Sequence, residues 1–257
     1  MHIKTLSQIE LDLLVSLLPN PKYKGTGRPR CNKLDLVNGI LIHLMYSVPW
    51  NNIFMDKASG TSCFRYFKEL QRRALFKQLL NMIVDGVLDL SNIAIDSSTI
   101  TSFRFKQDVG FDGKHKKHGT KVSLIIDANG IPFELITAKG NTHDLKLLHK
   151  NLQNISLKQG STINLDKGYT SIDLRRSLNK KKIKVNMETR SRDYIHKKGP
   201  KFKVNTIKYK LRFQVERVFG WMKSFKAIRT RKTVSIGNFR GLIYLALIIV
   251  VIRLLEF

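Results

Sequence analysis

Acidic side chains are scarce in this sequence: 19 Asp and Glu stand against 46 Lys and Arg, for a formal charge of +27. Such an excess repels itself in a compact chain unless a polyanion neutralises it, so nucleic acid is the leading partner and a membrane surface the weaker competitor. Cysteine is scarcer still. Cys31 and Cys63 are the only two. They form no Cys-x-x-Cys pair, which excludes a disulfide framework and a cysteine zinc site and fits a reducing cytoplasm. An uninterrupted apolar opening is also missing, because His2, Lys4, Glu10 and Asp12 punctuate the first segment, and this argues against an export signal. The strongly apolar run from Leu242 to Ile252 meets Arg253 before it reaches the roughly 20 residues that span a bilayer, so it reads as a buried helix packed on the sheet. Internal repeats and low-complexity tracts are absent as well.

What is present is enough for a folded core. The hydrophobic fraction of 42% is ordinary for a globular protein, and 257 residues suit a small domain joined to a larger one. Leu6 to Leu18 and Leu34 to Tyr46 have helical periodicity, a further helix is expected from Trp50, and Ser59-Gly60-Thr61-Ser62 forms a capped turn into a helix bearing Arg65, Lys68, Arg72 and Arg73. This order is that of a helix-turn-helix DNA reader, and equally that of a helical bundle with a solvated basic face. From about residue 90, short β-type runs at Ile93 to Ile95, Val122 to Ile126, Phe133 to Ile136 and Ile163 to Leu165 alternate with turns and helices. Asn129-Gly130 predicts an antiparallel hairpin, and the whole reads as a mixed α/β sheet. The expected division is residues 1–88, small, all-α and helix-turn-helix-like, and residues 89–257, the α/β domain, with a basic insertion near 188–208.

On a chain this basic, an acidic residue directly after a buried strand calls for a reason. Asp96 follows Ile93-Ala94-Ile95 and Asp166 follows Ile163-Asn164-Leu165, so each is expected at the carboxyl end of a strand, where open α/β sheets place their ligands. Paired carboxylates need a cation, and hard oxygen donors without Cys or clustered His select Mg²⁺ or Mn²⁺. A third ligand is Glu216, on a predicted helix where Tyr209, Arg212, Glu216 and Lys223 share one polar stripe opposite Leu211, Val215 and Val218. Taken singly, Asp166 is also a possible helix cap, Asp96 a turn residue, and Glu216 a partner for Arg212 one turn away. His143 and Asp144 suit a helix start, and Asp127 a hairpin.

The order Asp, Asp, Glu with Tyr-x-x-Arg-x-x-x-Glu-x-x-x-x-x-x-Lys at Tyr209, Arg212, Glu216 and Lys223 resembles the DDE transposases of bacterial insertion sequences. Asp166-Lys167-Gly168-Tyr169 and the segment from Lys121 through Thr142-His143-Asp144 are similar to that family too; Ser97-Ser98 after Asp96 departs from the Gly many relatives carry there. The resemblance implies an RNase H-like mixed sheet, with Asp96, Asp166 and Glu216 as the catalytic and metal-binding residues and two Mg²⁺ (or Mn²⁺) ions. It further implies DNA contacts by Tyr209, Arg212, Lys223 and Lys167, joined by Arg65, Lys68 and Arg72 of the basic helix. The expected activity is metal-dependent strand cleavage at the inverted-repeat ends of the chain's own element and transfer of the 3′-OH into target DNA, by a homodimer in the cytoplasm at the nucleoid. The competing expectation is a catalytically inactive, transposase-derived DNA-binding protein.

Overall fold

In a computed structural model, residues 6–22, 25, 31–103, 106–188 and 203–255 are described; most of the expected basic insertion, residues 189–202, lies outside them. The elements in chain order are α1 (Gln8–Leu17), α2 (Lys33–Tyr46), β1 (Phe54–Met55), β2 (Ala58–Ser59), α3 (Gly60–Arg72), α4 (Leu75–Val84), β3 (Asn92–Ser102), β4 (Gly110–Asp112), β5 (Lys117–Ile126), β6 (Pro132–Lys139), α5 (Asp144–Gln153), β7 (Thr162–Leu165), α6 (Ile172–Lys180), β8 (Lys184–Met187), α7 (Thr206–Tyr209), α8 (Leu211–Ser224), α9 (Lys226–Arg229) and α10 (Ile236–Leu254). They fall into two compact units: Met1–Ile83 with Phe105–Gln107 and Trp221–Phe257, and Val84–Arg104 with Asp108–Gly220.

The first unit is helical. Ser7 and Glu10 form a reciprocal capping box that starts α1, and Glu10 also takes a 2.5 Å bond from the Nε of Arg253 in the last turn of α10. After α2 the expected helix from Trp50 is replaced by a single 3-10 turn (Trp50–Asn52) and the β1–β2 hairpin. Pro49 and the Asn51-Asn52 pair supply turn chemistry there, not helix propensity. Ser59 then caps α3, accepting from the Ser62 N–H at 3.3 Å. Gly60 is obligatory at this junction, since a Cβ there would lie 1.6 Å from the Trp50 carbonyl oxygen. α10 is buried from Leu242 through Ile252, each residue at most 5% exposed, and it packs with α3 and α9. Its 19 residues are long and apolar enough to cross a bilayer by length and composition. In the fold those side chains form core.

The second unit is a mixed sheet in the order β6-β5-β3-β7-β8. β5 runs antiparallel to both β3 and β6, joined to β6 through a turn at Asp127 to Ile131, while β7 lies parallel to β3 and β8 parallel to β7. Asp127 serves the turn: its Oδ1 accepts from the Asn129 and Ile131 N–H groups. Ile93, Ile95, Leu124, Ile126, Ile163 and Leu165 are fully buried in the sheet. A row of asparagines fixes its parallel half: the Asn164 amide donates to Asn92 Oδ1 (2.8 Å), and the Asn186 amide donates to Asn164 Oδ1 (2.7 Å) and to the Asn205 carbonyl (3.0 Å). Asn205 donates its N–H back to Asn186 and caps α7, so the row ties β3, β7 and β8 to the short helix that precedes the one carrying Glu216.

Candidate active site

The parallel register of β3 on β7 ends with Ile95 opposite Leu165, which sets the following residues, Asp96 and Asp166, side by side on neighbouring strands. Adjacent strands are about 4.8 Å apart, within reach of a shared ligand. β3 does not stop at Asp96 as expected. Its other edge goes on pairing with β5, Asp96 opposite Leu124 and onward to Thr101 opposite Gly119, so only the parallel half of the strand ends there. β7 does end at Leu165, and Asp166 leads into a 3-10 turn, Lys167–Tyr169, without using its carboxylate as a cap. Asp96 accepts from the Ser97 N–H at 2.8 Å. Burial, reinforced by the nearby charges of Asp166 and Glu216, pushes its carboxyl up to about 6.

Glu216 comes from α8. The buried face of that helix is Leu211, Val215 and Val218, which leaves Arg212 and Glu216 one turn apart on the side toward Asp166. The Arg212 guanidinium lies between them, its Nη1 3.1 Å from Glu216 and 3.9 Å from Asp166. Among the described residues no three His, Cys, Asp or Glu side chains are gathered as a metal cluster. Glu216 is paired with Arg212. The three side chains offer only carboxylate oxygens, a donor type that would suit a hard divalent cation, and the Arg212 guanidinium lies between two of them.

Four residues not among the expected site residues complete the surroundings. Ser97 donates to Asp144 at 2.7 Å, and Asp144 also takes Lys121 Nζ at 2.9 Å, with the same ammonium bonded to the Thr142 carbonyl. Capping falls to His143, which accepts from the Leu145 N–H, so Asp144 is available to brace the residue next to Asp96. Tyr169, from the Asp-Lys-Gly-Tyr motif, is buried beside this group; burial and then the Asp96 charge hold its phenol protonated far above the usual range. A cavity of about 240 Å³ opens here, lined by Asp96, Asp166, Asp144, Lys121, Lys114 and His115. The signal for Asp144 and Lys121 was their place in a family-like segment, and the helix-start reading of Asp144 masked it.

The other expected contacts are spread out. Tyr209 ends α7, a separate short helix, and is 8% exposed beneath Arg212, whose guanidinium sits 5.7 Å from its ring centre. Lys210, in helical conformation, separates it from the first turn of α8. Lys167 is exposed next to Asp166, and Lys223 stands in the last turn of α8. In the first unit, Arg65 and Arg72 are exposed on α3 and Lys68 lies over the Phe64 ring. They line a groove of about 940 Å³ with Lys57 and the hairpin residue Phe54, which is 83% exposed.

The fold resembles that of solved structures. Over 96% of its length the chain is similar in fold to a piggyBac transposase in a synaptic complex with hairpin DNA, at TM-score 0.53 and 12% identity, covering 72% of that chain. A looser likeness, TM-score 0.27 and 13% identity over 89% of this chain and 80% of the other, is to a pre-cleavage Mos1 transpososome. No curated protein matches the chain. The sequence pattern of the transposase DDE domain matches residues 88–251, which hold Asp96, Asp166 and Glu216 together, and this chain therefore belongs to the DDE transposase family.

Proposed function

We propose that the chain cuts DNA strands at the ends of its own insertion sequence and joins the freed 3′-OH to target DNA, with Asp96, Asp166 and Glu216 as catalytic residues. The observation that carries this reading is the convergence of Asp96 and Asp166 on adjacent parallel strands, with Glu216 linked to Asp166 through Arg212. The three carboxylates would hold two Mg²⁺ or Mn²⁺ ions, which when bound would supply activation of a water or a 3′-OH and charge neutralisation at the phosphate. The chain's own residues do the rest. Asp144, through Ser97, braces the stretch of β3 that carries Asp96, and the asparagine row anchors α7, which leads into the Glu216 helix. Lys167, Lys223 and Arg212 are proposed as phosphate contacts near the cut, and Arg65, Lys68 and Arg72 as the grip on flanking duplex. Tyr209, being buried, supports Arg212 instead of stacking on a base. Two ends must be held at once, so the working form is a homodimer on DNA.

The test is cleavage of a supercoiled plasmid carrying the gene's flanking DNA, in Mg²⁺ and in EDTA. Wild type is expected to cut at the element ends only with metal, and Glu216→Gln to lose at least about a hundredfold in rate, as expected when one ligand of a metal-assisted reaction is neutralised. A folded wild type that retards the DNA but never cuts it would replace this reading with the binding-only alternative.

A further inference from the structure

We propose that Arg212 is an internal place-holder for the divalent cation: in the metal-free protein its guanidinium bridges Asp166 and Glu216, and it must leave Glu216 before the acidic triad can take up metal. This inference rests on the reading of Asp96, Asp166 and Glu216 as ligands. Arg212 Nη1 is 3.1 Å from Glu216 Oε1 and 3.9 Å from Asp166 Oδ1. Its side chain is only 16% exposed, and its buried Nε has no hydrogen-bond partner. The guanidinium is flanked by the Tyr209 and Phe213 rings, at 5.7 and 5.1 Å from their centres.

This is an incompletely satisfied arginine. A guanidinium offers five donors in a fixed fork, and a resting structural ion pair deep enough to bury Nε would normally satisfy it. Here the fork is used mainly at one nitrogen, while the aromatic faces stabilise the charge without fixing its direction. Three carboxylates without a cation repel one another, and one delocalised positive charge between two of them relieves that repulsion. The same oxygens are the ones a divalent ion needs, so guanidinium and metal compete for them. Glu216, 52% exposed at its side chain, is the member with room to turn. Arg212 acts here as a positioning residue: it keeps the carboxylates close and charged before loading, and it lowers the apparent metal affinity by the strength of its own pairing.

The experiment is titration of Mn²⁺ into the full chain by calorimetry and electron paramagnetic resonance, without DNA, for wild type, Arg212→Gln, Arg212→Lys and Asp166→Asn. Loss of the competing cation is expected to tighten Mn²⁺ binding by Arg212→Gln about three- to tenfold, the size of a partly exposed ion pair. Arg212→Lys, which keeps a charge but not the fork, should fall between the two. In EDTA the Arg212→Gln midpoint should drop by a few degrees, because the carboxylates then face one another uncompensated. Structural damage alone weakens metal binding and does not strengthen it. Equal or weaker Mn²⁺ binding in a folded Arg212→Gln or Arg212→Lys would overturn the place-holder. Wild-type binding undiminished in Asp166→Asn would instead overturn the ligand assignment on which it rests.

Discussion

A carboxyl group that is buried and surrounded by two others is expensive to keep charged, and Asp96 is in that position. Its ordinary value of 3.8 is raised to about 6 by burial first and by Asp166 and Glu216 next. The sign of the stability effect follows from the proton count. The folded state binds the Asp96 proton more tightly than the unfolded chain, so ionised Asp96 opposes folding above pH 6, and this penalty fades as pH falls from 6 towards 4. Asp96→Asn is therefore expected to raise the thermal midpoint in EDTA at pH 7.5, by an amount equivalent to about 1–2 kcal/mol, and to lose that advantage by pH 4. Scanning calorimetry across that range checks it. An unchanged midpoint at pH 7.5 would mean that Ser97 and Arg212 already compensate the charge. At this scale the sequence was informative where spacing encodes geometry: residues 209, 212, 216 and 223 are defined by their intervals. It was silent on Asp144, because a residue at a helix start has a sufficient local explanation, and only the fold brings Ser97 and Lys121 to it.

Elements are positioned by contacts that local patterns do not carry. Hydrophobic alternation predicts that Ile93 to Ile95 and Ile163 to Leu165 are strands, but not that β3 continues past Asp96, because its second half holds polar Ser97, Ser98 and Thr99 and is kept extended by pairing with β5. Likewise the β1–β2 hairpin has two residues per strand, too short to leave any period in the sequence. The asparagine row is the clearest case of a tertiary device. Asn186, 6% exposed, is joined on one side to Asn164 and on the other to both backbone groups of Asn205. Replacing it with Ala leaves those groups short of partners, at an expected cost of about 1–3 kcal/mol. Hydrogen exchange should then quicken at residues 206–209, the start of α7, well before it quickens in β3. Equal acceleration in both would mean that the row stabilises the sheet without anchoring the helix.

For the whole molecule the dominant quantity is the charge of +27, which makes any DNA complex an exchange of counterions. The logarithm of affinity should fall linearly with the logarithm of salt, by about 0.9 for each phosphate neutralised. Arg65→Ala and Arg72→Ala should each flatten that slope by about 1 if α3 lies on the backbone, as read from filter binding over a series of salt concentrations; an unaltered slope would make the α3 face a solvated surface. Composition alone made a polyanion partner legible. The division of the chain did not become legible in the same way, because a sequence is read as consecutive blocks, while Trp221–Phe257 groups with the first 83 residues. Periodicity shows that α10 is buried without naming what buries it.

The return of α10 to the helices at the other end of the chain also sets a timetable. Synthesis proceeds from the amino end at about 5–20 residues per second, and most domains can close as they emerge. The helical unit cannot, because α3 packs through Phe67 and Gln71 against Gly241 of α10, while every residue of the sheet unit has been added by Gly220. Interrupted translation therefore yields a chain able to complete its sheet but unable to finish the fold that displays Arg65, Lys68 and Arg72. The structure thus ties completion of the α3 face to the arrival of α10.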